Sequence, residues 1–142
     1  MQKYNSYKPT NIEWIGDIPD HWKIAEIKHD LEFYTGYTPP TSRSELFEGN
    51  NIWVSIGDMD QKYIYDSKTK LSDEAIEIAN PVLVQKGTLL YSFKLSIGKV
   101  AFAGTELYTN EAIACFLPNI KFDLNFLYYA FECYLHLSLI HI

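Results

Sequence analysis

Pro19-Asp20, followed by Glu26-Ile27-Lys28, sets two carboxylates and a lysine close together. Metal-dependent nucleases use that combination to hold Mg²⁺ and activate water. The chemistry needs the aspartate and the Glu-x-Lys pair on neighbouring strands. Only five residues separate them, too few for a strand, a turn and a return strand, so the pattern is read as chance. Asp58-Met59-Asp60 matches the first half of a calcium loop. Tyr63 then replaces the required glycine and Thr69 the closing glutamate, so no cage forms. Gly98-Lys99 has Phe93 where a phosphate-cradling loop needs glycine and Val100 where it needs Ser or Thr. Asn80-Pro81-Val82 lacks the second proline and the aromatic of an amino-methyltransferase motif. His21, His29, His136 and His141 have no ligand spacing and read as surface or capping residues. Cys115 and Cys133 sit in apolar sequence and read as buried thiols. With no Gly-x-Ser-x-Gly turn and no glycine-rich cofactor loop, no catalytic residue, metal or cofactor is expected.

The surrounding chain is ordinary globular sequence, 47% apolar and 21% charged over 142 residues, and fits one domain spanning 1–142. It has no apolar run of membrane-spanning length and no secretory leader, which reads as cytoplasmic. A formal net charge of -6 argues at first against a polyanionic partner. Yet no acid lies between Glu77 and Glu106, where Lys86, Lys94 and Lys99 fall, so a basic strip on an acidic surface is allowed.

Hydrophobic patterning predicts an α+β domain of twisted, mainly antiparallel strands with one short helix and one longer C-terminal helix. Lys23–His29 reads as a short strand, and "NIWVSIGDM" as another. Leu71-Ser72-Asp73-Glu74 reads as a helix start with Ser72 as N-cap and Leu71 stapled to Ile76, stopped at Asn80-Pro81. "VLVQKGTLLYSF" reads as strand, Lys-Gly turn, strand; "IGKVAFAG" and "EAIACFLP" add two more. Tyr91, Phe93, Leu95 and Ile97 alternate on one face and read as core. Asp123 caps a helix to about Leu137 that is apolar almost all round.

Taken in order, "YKPTNIEWIGDIPDHWKIAEIKH", "TGYTP", "IWVSIGDMD", "VQKGTLLYSFKLSIGKVAFAG" and "TNEAIACFLP" closely resemble the target recognition domain of specificity subunits of type I restriction-modification enzymes. "IEWIGDIPDHW" is the most specific of these stretches, and the resemblance runs to about Tyr134. It implies sequence-specific recognition of half of a split double-stranded DNA site, without intrinsic catalysis. Methyltransferase and restriction subunits are the implied partners. It also implies a C-terminal truncation, because a further recognition segment and the long spacer helices of that family are missing. The uncovered helix would then drive self-association, and an inactive truncated fragment is one alternative.

Within that frame, Trp14 and Trp22 bracket a turn stiffened by Pro19 and are expected as buried anchors of a clasp over 1–22. The expected DNA-reading residues are polar and lie on loops or strand ends. They are Thr38, Ser42 and Arg43 in "TGYTPPTSRSE", Lys62, Tyr63, Tyr65 and Lys68 in "DQKYIYDSK", and Lys94, Ser96 and Lys99 in "FKLSIGK". Two other classes stay open: a protein- or glycan-binding module using 11 Tyr and 8 Phe, and a nuclease built on Asp20, Glu26 and Lys28.

Overall fold

The structure, a computed structural model, describes residues 3–118 and 121–135. The chain divides into two compact units, Met1–Glu32 and Phe33–Ile142.

In the first unit, β1 (Tyr7–Pro9) pairs antiparallel with β2 (Asp17–Pro19), Lys8 opposite Ile18. The connecting loop closes around a threonine. Buried Thr10 donates from Oγ1 to the Gly16 carbonyl at 2.7 Å and accepts the Ile12 N–H at 3.1 Å. Gly16 turns the chain at φ 71°, a conformation that a side chain opposes. Trp14, within this loop, is 54% exposed, and Trp22 is 37% exposed with its ring edge-on to Tyr4 at 6.2 Å. The burial of both indoles expected from the sequence is not found, because a hydroxyl and backbone carbonyls already close the turn.

Lys23–His29 is not a strand. Ile27–Asp30 makes a single helical turn, α1, in which the Asp30 carboxylate accepts the Glu26 N–H at 2.7 Å. This local bond offers the backbone an alternative to a ladder. Glu26 therefore precedes a helical turn instead of lying on a strand beside Asp20, and the Lys28 side chain lies outside the described set. Among the described residues no three His, Cys, Asp or Glu side chains are grouped to hold a metal ion, and no helix is long and apolar enough to cross a membrane.

The second unit is α+β. Its main sheet runs β3 (Phe33–Thr35), β10 (Ile113–Phe116), β7 (Leu89–Ser92), β8 (Val100–Ala103), β5 (Tyr63–Ile64), antiparallel except for the β5–β8 pair. β7 and β10 are buried on both faces. Leu90, Ala101, Ala103, Ile113 and Cys115 face a core with Val54, Met59, Ile64, Val84 and Leu107. Tyr91, Phe102 and Phe116 face α3 (Leu124–Ala130) and the π-helical turn that follows it. Phe131 meets Tyr91 and Phe116 edge-on at 5.6 and 5.1 Å, and Tyr128 stacks on Phe102 at 5.5 Å.

A smaller sheet, β6 (Lys70–Leu71), β4 (Asn51–Val54), β9 (Tyr108–Thr109), packs Trp53 and Leu71 with Leu46 and with Ala75 of α2 (Asp73–Ala79). The α2 boundaries follow the sequence signals. Ser72 accepts the Ala75 N–H at 3.2 Å, and Asn80 ends the helix at φ 45°. Before the Lys86-Gly87 turn, Val84 contributes one bridge to Leu107 where a strand is expected. Asp123 caps α3, accepting the Asn125 N–H at 2.8 Å; Leu137, His136 and His141 lie outside the described residues.

The cysteines divide. Cys115 is buried and Cys133, expected to be buried, is exposed. Burial pushes the Cys115 thiol up to about 11, the Thr109 hydroxyl beside it opposing the shift. At pH 8 a disulfide reagent should therefore modify Cys133 rapidly and Cys115 only on unfolding. Two fast thiols in stopped-flow titration would contradict this packing.

Candidate nucleic-acid interface

Strand register gathers several chain segments at one end of the main sheet. Ile113 opens β10 opposite Ser92, the last residue of β7; Ala114 is opposite Thr35, the last of β3; and Val100 opens β8 opposite Tyr91. β5, parallel to β8, begins at the same end. Here lie the loops carrying Thr38, Asp60, Lys94, Ser96, Lys99 and Glu111.

Ser92 organises the β7–β8 loop from inside. Its Oγ donates to the Ser96 carbonyl at 2.7 Å and accepts the Lys99 N–H at 2.9 Å, while its carbonyl accepts the Gly98 N–H at 3.0 Å. The Phe93 N–H donates to the Ala112 carbonyl at 3.1 Å, tying the loop to the start of β10. Lys99 reaches the neighbouring segment, its Nζ 2.8 Å from the Asp60 carboxylate and 3.2 Å from the Ile56 carbonyl.

Thr38 is positioned by a close backbone approach. The Tyr37 N–H donates to the Thr109 carbonyl at 2.9 Å, and the Trp53 indole N–H donates to the Tyr37 carbonyl at 2.9 Å. Gly36 permits this: a Cβ there would stand 1.9 Å from the Thr109 oxygen. The Thr38 hydroxyl donates to the Glu111 carboxylate. That bond holds Glu111 below the usual carboxylate range, and the Lys99 ammonium does the same for Asp60.

Of the ten residues singled out from the sequence, Thr38, Lys94, Ser96 and Lys99 are brought to this end. Lys68 is exposed nearby, its backbone N–H bonded to Asp58, which also accepts from Ser55 N–H and Oγ as a helix-type cap. Tyr63 opens the outer strand β5 at this same end, with Lys62 just before it. The Lys62 ammonium sits 4.9 Å from the Tyr128 ring centre and 5.1 Å from that of Tyr129, and the Tyr129 hydroxyl raises its pKa. Tyr65 stands against Gly104, toward the opposite end. Ser42 and Arg43 are beside α2, where Arg43 meets Glu45 at 2.7 Å and Glu74 at 2.6 Å, so its fork is already engaged. Lys86 precedes β7 and lies at the other end of the hairpin from Lys94 and Lys99. The continuous basic strip allowed by the sequence is thus split in two.

Sequence reasoning missed Ser92, Asp60 and Glu111, which place the lysine and threonine groups. The Ser92-to-Gly98 spacing is the signal available for the first; nothing local marks the others.

A family model described as the type I restriction modification DNA specificity domain matches residues 19–140. The specificity subunit of the type I restriction enzyme MjaIX of Methanocaldococcus jannaschii is 31% identical over 129 residues, covering 89% of this chain and 29% of that protein. The HsdS subunit of Thermoanaerobacter tengcongensis has a similar fold, with TM-score 0.68 and 18% identity over 96% of this chain and 32% of that one. A chain from a structure of type I R-M complex assembly and conformational transition gives TM-score 0.65 and 20% identity over 87% of this chain and 30% of its own. This chain therefore spans about a third of the length of the relatives it matches.

Two substitutions probe the construction. Gly36→Ala forces the Thr38 loop off Thr109 and should cost about 1–3 kcal/mol in denaturant unfolding. Ser92→Ala strands the Ser96 carbonyl and the Lys99 N–H and should cost about 1–3 kcal/mol. The lowered Asp60 and Glu111 values mean their bonds stabilise the fold above the ordinary carboxylate pKa. That stability is lost as pH falls through the lowered folded-state values, so melting temperature should drop on acidification, and less so in Lys99→Ala.

Proposed function

The chain belongs to the family of type I restriction modification DNA specificity domains, and we propose that it reads one half of a split double-stranded DNA site for partner subunits that methylate and cleave. The observation that carries this reading is the end of the main sheet. There Lys94, Ser96 and Lys99 on one rigid loop stand with Thr38 and Lys68, within a chain that is acidic on average. In this reading the cations serve phosphates, the exposed Ser96 hydroxyl addresses a base edge, and Thr38, whose hydroxyl donates to Glu111, addresses bases together with that carboxylate. Arg43, one of the residues expected to read DNA, has in this reading the supporting role of holding its loop to Glu74. Lys62 and Tyr63, at the start of β5, form an accessory edge with Tyr128 and Tyr129, and Tyr65 lies toward the opposite end. The acidic remainder fits a DNA channel completed by methyltransferase subunits.

Exposed Tyr63 and Tyr65 support a second reading, a protein- or glycan-binding surface. Salt separates the two. With about three phosphates neutralised, log K against log salt should fall with a slope of roughly -3. Lys94→Ala should weaken binding to all duplexes and reduce the slope by about 1. Fluorescence anisotropy across a salt series measures both, and binding indifferent to salt would favour the second reading. Self-association through α3 is likewise a proposal, supported by exposed Tyr129 and Phe126 beside buried Leu127 and Phe131. Sedimentation equilibrium over a concentration series tests it.

A further inference from the structure

The alternation Tyr91, Phe93, Leu95, Ile97 does not stay in the core. Tyr91 is buried and Phe93 half-buried, but Leu95 is 91% exposed and Ile97 is exposed as well. Leu95 also sits at φ 61°, in the left-handed region where glycine or asparagine is at ease and a leucine is strained. A position chosen for stability alone would hold neither a large apolar side chain in water nor a leucine on that backbone.

The loop presenting Leu95 is closed at its base by Ser92 and fastened at its ends to Ala112 and Asp60. Lys94 precedes the apolar tip, its ammonium 5.4 Å from the Phe93 ring centre, and Lys99 follows it. No acidic residue occurs from Ile78 to Thr105. An apolar tip between cations on a fixed hairpin is the chemistry of a wedge that enters a base stack while the cations meet flanking phosphates.

We infer that Leu95 is an intercalating wedge: it inserts at one base step of the bound half-site, partly unstacks it and bends the duplex. The inference rests on the DNA-reading role above and adds to it a contact of shape and deformability instead of hydrogen bonding. The lysines flanking the tip favour a polyanion over a protein surface as the occupant, with Asp60 fixing Lys99 and Glu111 near Lys94.

The test uses the full chain and duplexes selected by it from a pool with a randomised core. Leu95→Asn suits the left-handed backbone, so its melting temperature should equal or exceed that of the original chain. Leu95→Phe keeps an apolar wedge. Affinity is read by anisotropy and bending by the mobility of circularly permuted fragments. The original chain and Leu95→Phe should bend the selected duplex. Leu95→Asn should bind it about tenfold more weakly, leave it straight, and bind unselected duplex as before. Equal affinity and equal bending in Leu95→Asn overturn the wedge and leave the DNA reading standing. Failure to enrich any duplex overturns the DNA reading and the wedge with it. Unchanged DNA binding with weakened association to methyltransferase subunits assigns the tip to a protein contact, again overturning the wedge.

Discussion

Burial of β7 and β10 on both faces is the condition from which the rest of the larger unit follows. One face is sealed by the Leu90, Ile113 and Cys115 core, the other by α3 through Phe131 and Tyr128. With no water on either side of the central strands, polar groups can be displayed only beyond their ends. Where five strands in this order meet, one end collects the turns, and the polar residues collect with them. Many of the aromatic residues find their use here, between helix and sheet.

Charge at that end is arranged with some economy. Lys99 and Asp60 are bonded to each other, as are Thr38 and Glu111, so each polar group is held in place by a neighbour. Such pairs give exposed side chains fixed positions at little net energy. The arrangement favours geometric definition over raw positive potential, in keeping with a chain whose formal net charge is -6.

Helix boundaries were legible because their causes are local. Ser72, Asn80 and Asp123 act within their own turns. The strands that follow Lys86-Gly87 and Gly98 were legible from apolar runs set off by glycine, whereas the strand expected before Lys86 is a single bridge at Val84. Leu95 and Ile97 were misread because alternation holds only while a strand continues, and β7 ends at Ser92 while the apolar pattern runs on to Ile97. Lys23–His29 and Trp14 failed for a related reason: an Asp30 or Thr10 side chain captured nearby backbone groups, which hydrophobic periodicity does not register. The pairing of Arg43 with nearby Glu45 was legible locally, whereas the second partner that completes its engagement, Glu74, is distant in sequence. Family membership was legible from the order of short stretches; which polar residues share one end required the register.

The same strand order governs how the chain comes into being. Thr35 of β3 pairs with Ala114 of β10, so β3 acquires its one sheet neighbour among the described residues only after β10 has been made. β5 likewise waits for β8. Closure of such distant pairings is slow, and during synthesis β3 and its Phe33 stay an open edge able to capture other chains. Until β10 emerges, that open edge is where misassembly of the larger unit would begin.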